Sequence, residues 1–464
     1  MVNAPNRKFL YTAAAAANIA TFICGTALGW TSPEIPLLKN ITTSPLDHEL
    51  SVSEEGWIGS FLPLAAAIGP IGGGILANLI GRKKTILIGA IPFLAAFALN
   101  IFARSVFMFY LSRFICGFGT GIIFTALPMY IGEISDNETR GTLGSFLQLF
   151  AVLGLLFSYS LGPFISIKVF NTILLCIPGI FMVLFFFFIP ESPYYLIQSG
   201  KIEEAIAALS KLKGIEKKFA EKEAEIVKLQ VEDDIENKGG LTTILKSVGL
   251  RKALIIALSL LGAQQFSGIN IVLFYTQNIF TNAGVSLAPE ICTIIVGVVQ
   301  ILASAATPLV VDRCGKRFLL MLSGLGMAIS HSILALFFYM KDDCQKDISN
   351  LAWLPIIGIV VYIITYCLGF GPLPWAILGE IFPGNVKSIA SSAAASFCWI
   401  LGFVITNYFS ALTILVGTSG TFGFFSICCV AAAIYVFKCV PETSGKSCQD
   451  IQIILEGSKN VDSS

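Results

Sequence analysis

The chain has 464 residues, 55% of them hydrophobic and 13% charged, with a mean hydropathy of +0.80. A water-soluble domain carries about 25% charge, so this composition excludes one and points to a chain that crosses a lipid bilayer many times. A net charge of +1 offers no basic surface to a nucleic acid.

Apolar runs of about 20 residues, the length that spans a bilayer, fall near 11–30, 56–80, 85–103, 107–131, 142–164 and 170–189. After a charged gap come runs near 252–280, 289–311, 318–340, 351–380, 388–411 and 420–440. Arg7 and Lys8 precede an Ala-rich first run with no convincing cleavage site after it, so it reads as a membrane helix and not a removed signal. The expected fold is all-α: twelve transmembrane helices in two six-helix halves, 1–189 and 252–440, with a helical linker at 190–251 and a tail at 441–464.

Most of the 30 Lys and Arg fall on one side when both termini are placed inside. That side holds Arg7, Lys8, Arg82, Lys83, Lys84, Arg140, Arg313, Lys316, Arg317, Lys387, Lys438, Lys446, Lys459 and the basic residues of the gap. The other holds Lys39, Arg104, Arg113, Lys168, Lys341 and Lys346. Basic loops stay cytoplasmic, so the expectation is a multi-pass plasma-membrane protein, in contact with lipid, with both termini cytoplasmic. Trp30, Trp57 and Trp353 then fall near the outer interface. Asn40-Ile41-Thr42 is a glycosylation sequon on the outer side; Asn137-Glu138-Thr139 lies inside and is expected to stay unmodified.

In the gap, Ile202, Ala205, Ile206, Leu209 and Leu212 mark one face of a helix, and Phe219 to Val231 reads as a second amphipathic segment. That spacing fits solvated helices and helices docked on the bundle equally well. The twelve cysteines lie mostly in apolar runs and there are only two histidines, His48 and His331. Neither a disulfide framework nor a metal site follows, and no motif calls for a cofactor. Gly72-Gly73-Gly74 reads as close helix packing.

Three short motifs occur twice, in the same order. Asn78-Leu79-Ile80-Gly81-Arg82-Lys83 is matched by Asp312-Arg313-Cys314-Gly315-Lys316-Arg317. Gly132-Glu133-Ile134 with Arg140 is matched by Gly379-Glu380-Ile381 with Lys387, and Pro190-Glu191-Ser192 by Pro441-Glu442-Thr443. The two halves are therefore homologous, and a pair of parallel six-helix repeats places a site between them near the midplane.

The seventh run contains Gln264-Gln265-Phe266-Ser267-Gly268-Ile269-Asn270. Amides at membrane depth need partners, since an unpaired buried amide costs about 2–7 kcal/mol. They donate and accept without charge, which is the chemistry that holds a neutral polyol. They also serve as glue between helices, and spacing alone favours that reading. On a regular helix Gln264 and Asn270 lie about 240° apart, so they converge on a ligand only if the helix breaks, and Gly268 lies between them.

These motifs carry a resemblance. Arg113-Phe114-Ile115-Cys116-Gly117, Glu133 with Arg140-Gly141, Pro190-Glu191-Ser192-Pro193, the Gln264–Asn270 stretch, Gly371-Pro372-Leu373-Pro374-Trp375 and Pro441-Glu442-Thr443 resemble the sugar porter family of the major facilitator superfamily over about residues 10–455. Within it the chain is similar to glucose facilitators and, more closely, to facilitated trehalose transporters. The resemblance implies a central sugar site of Gln148, Gln264, Gln265, Asn270, Gln300, Trp375 and Trp399, with Tyr275 as an outer gate. It departs from the family at Leu79 and Tyr194, where arginines are usual, and at Cys367 and Cys398, where glucose facilitators carry a sugar-binding glutamate and an asparagine.

The resemblance also implies an inner gate of cross-half ion pairs among Arg82, Glu133, Arg140, Glu191, Arg313, Glu380, Lys387 and Glu442. No Asp or Glu falls in the middle of a predicted helix, and a proton symporter needs a titratable group there. The expectation is a uniporter, functional as a monomer, that moves a neutral sugar, trehalose or a hexose, by alternating access. A proton-coupled sugar or polyol symporter and a non-transporting sugar sensor are the alternatives. No catalytic constellation is present, so an enzyme is not expected.

Overall fold

The computed structural model describes residues 7–136, 139–236, 240–346, 348–444, 446 and 448–456, and they are helical, with no strand among them. The Asn137 sequon and Lys459 lie outside the described residues. In the first half α1 (Lys8–Gly29) runs on through Trp30 into α2 (Thr31–Lys39), followed by α3 (Val52–Ile80), α4 (Arg82–Phe102), α5 (Val106–Ile134), α6 (Arg140–Leu161) and α7 (Ile167–Phe188). Four short helices form the linker: α8 (Pro193–Gln198), α9 (Ile202–Lys213), α10 (Lys217–Glu236) and α11 (Leu241–Lys246). The second half holds α12 (Val248–Phe266), α13 (Ile269–Ala283), α14 (Pro289–Cys314), α15 (Lys316–Phe338), α16 (Leu354–Leu368), α17 (Leu373–Ile381) and α18 (Gly384–Cys439), and α19 (Cys448–Glu456) forms the tail.

Eleven stretches among the described residues are long and apolar enough to cross a membrane. The last is two spans in one. Gly417 sits inside α18 with φ +76, and Thr421 Oγ1 lies 3.4 Å from Thr413 Oγ1. Eight residues of straight helix would rise about 12 Å, so the chain reverses at Gly417. Twelve spans result, six in each half.

Lipid gives apolar helices no hydrophobic reason to associate, so close backbone approach supplies the cohesion. A Cβ on Gly117 of α5 would collide with the Leu62 carbonyl oxygen of α3. Between α1 and α6, Gly25 and Gly154 bring the backbones as close. Of the Gly72-Gly73-Gly74 run, Gly73 makes the tight contact, with Ile122.

Two residues expected near the outer interface are instead buried in the first half. Trp30 is 1% exposed, and its Nε1 donates to Asn171 Oδ1 at 3.0 Å. Arg113, also 1% exposed, donates to the carbonyls of Ala27 at 2.5 Å and Ile58 at 3.2 Å, and to Thr31 Oγ1 at 3.3 Å. It ties three helices together and is no guide to orientation. Trp353, by contrast, is exposed.

The linker docks on the first half. Ala205, Ala208, Leu209 and Leu212 of α9 are buried, and Leu212 joins the first half's core. Lys213 at the end of α9 pairs with Asp136 and, at 2.6 Å, with Glu223. Burial acts against the Lys213 charge, but these two carboxylates outweigh it and hold its pKa above the usual lysine value. On the other half, α19 docks through Lys252 Nζ to Leu455 O at 2.7 Å and Gln452 Nε2 to Ile381 O at 2.5 Å. Linker and tail thus mark one end of the bundle, the linker end; the α2–α3 and α13–α14 loops mark the far end.

Candidate functional site: the seam between the halves

The seventh membrane stretch is broken between α12 and α13, where Gly268 takes φ +82. The break brings the amides together. Asn270 Nδ2 donates to Gln265 Oε1 at 2.7 Å, and Gln265 Nε2 donates to Cys398 Sγ at 3.0 Å. A Cβ on Gly402 of α18 would lie 2.8 Å from Asn270 Nδ2 and 3.6 Å from Pro63 of α3 in the other half. The Gln265–Asn270 pair therefore sits at the seam.

Gln264 does other work. Its Nε2 donates to the carbonyls of Phe370 at 2.7 Å and Gly371 at 2.8 Å and approaches Tyr366 Oη at 3.2 Å. Those carbonyls lie in the gap between α16 and α17, so Gln264 braces one broken helix against another. Of the two roles open to these amides, Gln264 takes glue, while Gln265 and Asn270 face the seam.

Other groups of the expected site are buried without a partner among the described residues. Trp399 is 8% exposed and Gln300 2% exposed, yet Trp399 Nε1 and Gln300 Oε1 bond to nothing. The Trp399 ring packs edge-on to Phe124 of the first half, with centroids 6.2 Å apart. Trp375 is half-buried against the second half's core. Gln148 is half-buried on α6. It lies eleven residues from Tyr159, hence on nearly the same face about 16 Å along the helix, and Tyr159 Oη donates to Leu273 O of α13 at 2.5 Å. Among the described residues no hydrogen bond joins Gln148, Gln300 or Trp375 directly to the Gln265–Asn270 pair. An apolar groove of about 660 Å³ lies elsewhere, between Leu79, Ile88, Phe186 and Phe187.

The halves meet at the far end. Asn278 Nδ2 donates to Glu55 Oε1 at 2.7 Å, Ser32 Oγ accepts from Gln277 N at 3.3 Å, and Ser60 Oγ donates to Asn407 Oδ1 at 3.2 Å. Tyr275 stacks on Phe409 at 5.5 Å, and its hydroxyl would lie 2.6 Å from a Cβ on Gly59. These contacts close the far end. Sequence reasoning reached Tyr275 alone among them; the isolated polar residues Ser60 and Asn407 inside apolar runs were the available signal.

At the linker end the Arg82–Glu133 and Lys316–Glu380 ion pairs each lie within one half. Arg82 pairs with Glu133 at 2.8 Å inside the first half, where Ser192 Oγ also donates to Glu133. Lys316 pairs with Glu380 inside the second. Glu191 accepts the Lys83 and Ser192 N–H groups at 2.8 and 2.9 Å and so caps α4. Glu442 does the same for α15, accepting from Lys316 and Arg317 N–H, both at 3.1 Å. Arg313 and Lys387 are exposed. Arg140 opens α6, and its side chain lies outside the described residues. With the halves in contact at the far end, Glu133, Glu191 and Glu442 are bonded within their own halves, while Glu380 keeps one buried oxygen without a partner among the described residues.

Helix α2 changes the inventory of acids. The first run was expected to end near residue 30, but helix continues to Lys39 and carries Glu34 into the span. Glu34 is 0% exposed and neither of its oxygens has a partner among the described residues.

Residues 12–455 match the family model described as Sugar (and other) transporter. The chain belongs to that family. It is a multi-pass membrane transporter and not an enzyme. It is 36% identical over 441 residues to the Facilitated trehalose transporter Tret1 of Apis mellifera ligustica, covering 95% of this chain and 87% of that one. It is 37% identical over 459 residues to a protein of the same name from Polypedilum vanderplanki, covering 97% and 90%. In fold it is similar to the xylose transporter XylE from E. coli in an inward-open conformation, with a TM-score of 0.78 at 23% identity over 96% of this chain and 99% of that one.

Proposed function

We propose that the chain carries a neutral sugar, trehalose or a hexose, down its gradient across the plasma membrane by alternating access. The observation that carries this reading is the set of uncharged groups at and near the seam: the Gln265–Asn270 pair and the unpartnered Trp399 Nε1 and Gln300 Oε1. A hydroxyl both donates and accepts, so it satisfies an indole N–H and an amide oxygen together, and the indole face covers the apolar side of a sugar ring. The relatives named as facilitated trehalose transporters favour trehalose. The basic linker end faces the cytoplasm in this reading, Asn40 is the glycosylated residue outside, and one copy suffices.

The far-end contacts are the closed gate, with Tyr275 its plug. The linker-end ions act when the halves rock the other way: Arg82, Glu133, Glu380 and their neighbours exchange partners across the seam. The part-exposed Lys316–Glu380 pair is of the kind worth about 0–1 kcal/mol, whereas Arg82–Glu133 is largely buried and exchanges only when the rocking brings it water or a new partner. Glu380→Gln then slows transport with surface expression retained; an unchanged rate removes its gate role.

Radiolabelled uptake into proteoliposomes is the test, comparing glucose, fructose, trehalose and inositol with and without a pH gradient. Saturable uptake of one sugar that ignores the pH gradient is expected. Uptake of none sinks the reading.

Glu34 favours a second reading, proton coupling. A carboxyl held without a partner inside a span marks a proton path, because it can exchange a proton when the rocking halves bring water to it. Sugar-driven proton uptake that vanishes in Glu34→Gln would establish this reading against simple uniport.

A further inference from the structure

The break between α12 and α13 frees carbonyls that an unbroken helix would pair with the N–H four residues on. The Gln264 carbonyl is satisfied locally, by Ser267 Oγ at 2.6 Å. The Ser267 carbonyl, at the break itself, is satisfied by two other helices. Tyr362 Oη of α16 donates to it at 3.0 Å, and His331 Nε2 of α15 lies 2.7 Å away. A carbonyl can only accept, so the histidine hydrogen is on Nε2.

His331 is fully buried and held among rings. Tyr362 lies 4.7 Å from it by centroids, and Phe422 and Phe425 each lie 5.8 Å away. Phe425 closes on the break from the other side, 3.3 Å from where a Gly268 Cβ would be. Three helices thus converge on one peptide group. That group stands between Gln265 and Asn270, which would lie about 140° apart on a regular helix but are hydrogen-bonded here.

We propose that His331 is a positioning residue for transport: its Nε2–H holds the Ser267 carbonyl and so fixes the turn that brings Gln265 and Asn270 together at the seam. The proposal rests on the sugar-carrier reading.

Two substitutions separate the donor from the ring. His331→Phe keeps an aromatic plug and removes the N–H; His331→Gln keeps an N–H donor and removes the ring. His331→Phe should raise KM for the transported sugar about tenfold, the worth of one buried hydrogen bond, with the maximal rate per surface molecule unchanged. His331→Gln should bring KM back close to wild type. Without any sugar, hydrogen exchange over residues 264–274 should quicken in His331→Phe and not in His331→Gln. Equal KM effects in the two variants, or unaltered exchange in His331→Phe, overturn the proposal. The exchange measurement needs no substrate, so a wild type that moves no sugar sinks the carrier reading while the clamp is still judged.

Discussion

Trp399 shows what a single side chain contributes and what the sequence could say of it. An indole in a membrane helix is ordinarily packing; only the resemblance set it apart, and its ring does pack, on Phe124. Its buried N–H has no acceptor among the described residues, and in the proposed carrier that N–H meets the sugar. Trp399→Phe removes that N–H together with part of a ring packed in the first half's core. Its melting temperature should fall slightly, for the lost ring volume, while KM rises about five- to tenfold, as thermal denaturation and uptake kinetics would measure. A fall in stability at unchanged KM would return Trp399 to packing. Gln264 is the opposite case: an amide of the same type, one residue from Gln265, is spent on Phe370 and Gly371. Sequence could not separate the two, because a hundred degrees of helix rotation decides which amide meets the seam.

Among the elements, the twelve spans were legible because each is a run of apolar residues long enough to cross a bilayer. The break at Gly268 was legible only as a condition, since amides on different faces needed one to converge on a ligand but none to glue helices. Helix α2 was not. Pro33 reads as a terminator, yet in the first turn of a helix the missing proline N–H would have had no partner anyway, so helix continues and Glu34 enters the span. The cap on α15 offers a test by pH. Burial pushes the Glu442 carboxyl up, but the N–H donors of Ser444, Arg317 and Lys316 outweigh it, and its pKa lies below the ordinary carboxylate value. A depressed acid stabilises the fold above its unfolded pKa, and the contribution is lost as pH falls through the folded value. Melting curves of wild type and Glu442→Gln should therefore differ at neutral pH and converge on acidification below the carboxylate range. A gap that persists in acid would mean that the carboxylate charge contributes nothing.

At the scale of the whole molecule, transport requires the far-end contacts to open and re-form. Gly59 permits closure because a side chain there would meet the Tyr275 hydroxyl at 2.6 Å. Gly59→Leu should wedge the far end apart. It should keep sugar binding from that side and lose uptake, measured by ligand-dependent fluorescence and by flux; normal flux would mean that Tyr275 does not seal against α3. The two-half architecture was legible from the doubled motifs, whereas the state in which the halves rest was not, because the same carboxylates can pair within or across halves.

The doubled caps give the molecule an internal control. Gly81 with Glu191 and Gly315 with Glu442 are the same joint built twice, each glycine at positive φ with a carboxylate oxygen within 3 Å of where a methyl would project. Alanine at either glycine is one lesion delivered to two copies of an ancestral unit. Were the copies equal partners in the cycle, Gly81→Ala and Gly315→Ala would slow exchange by the same factor. Any inequality between the two measures how unevenly the twins have come to divide their labour since the chain was duplicated.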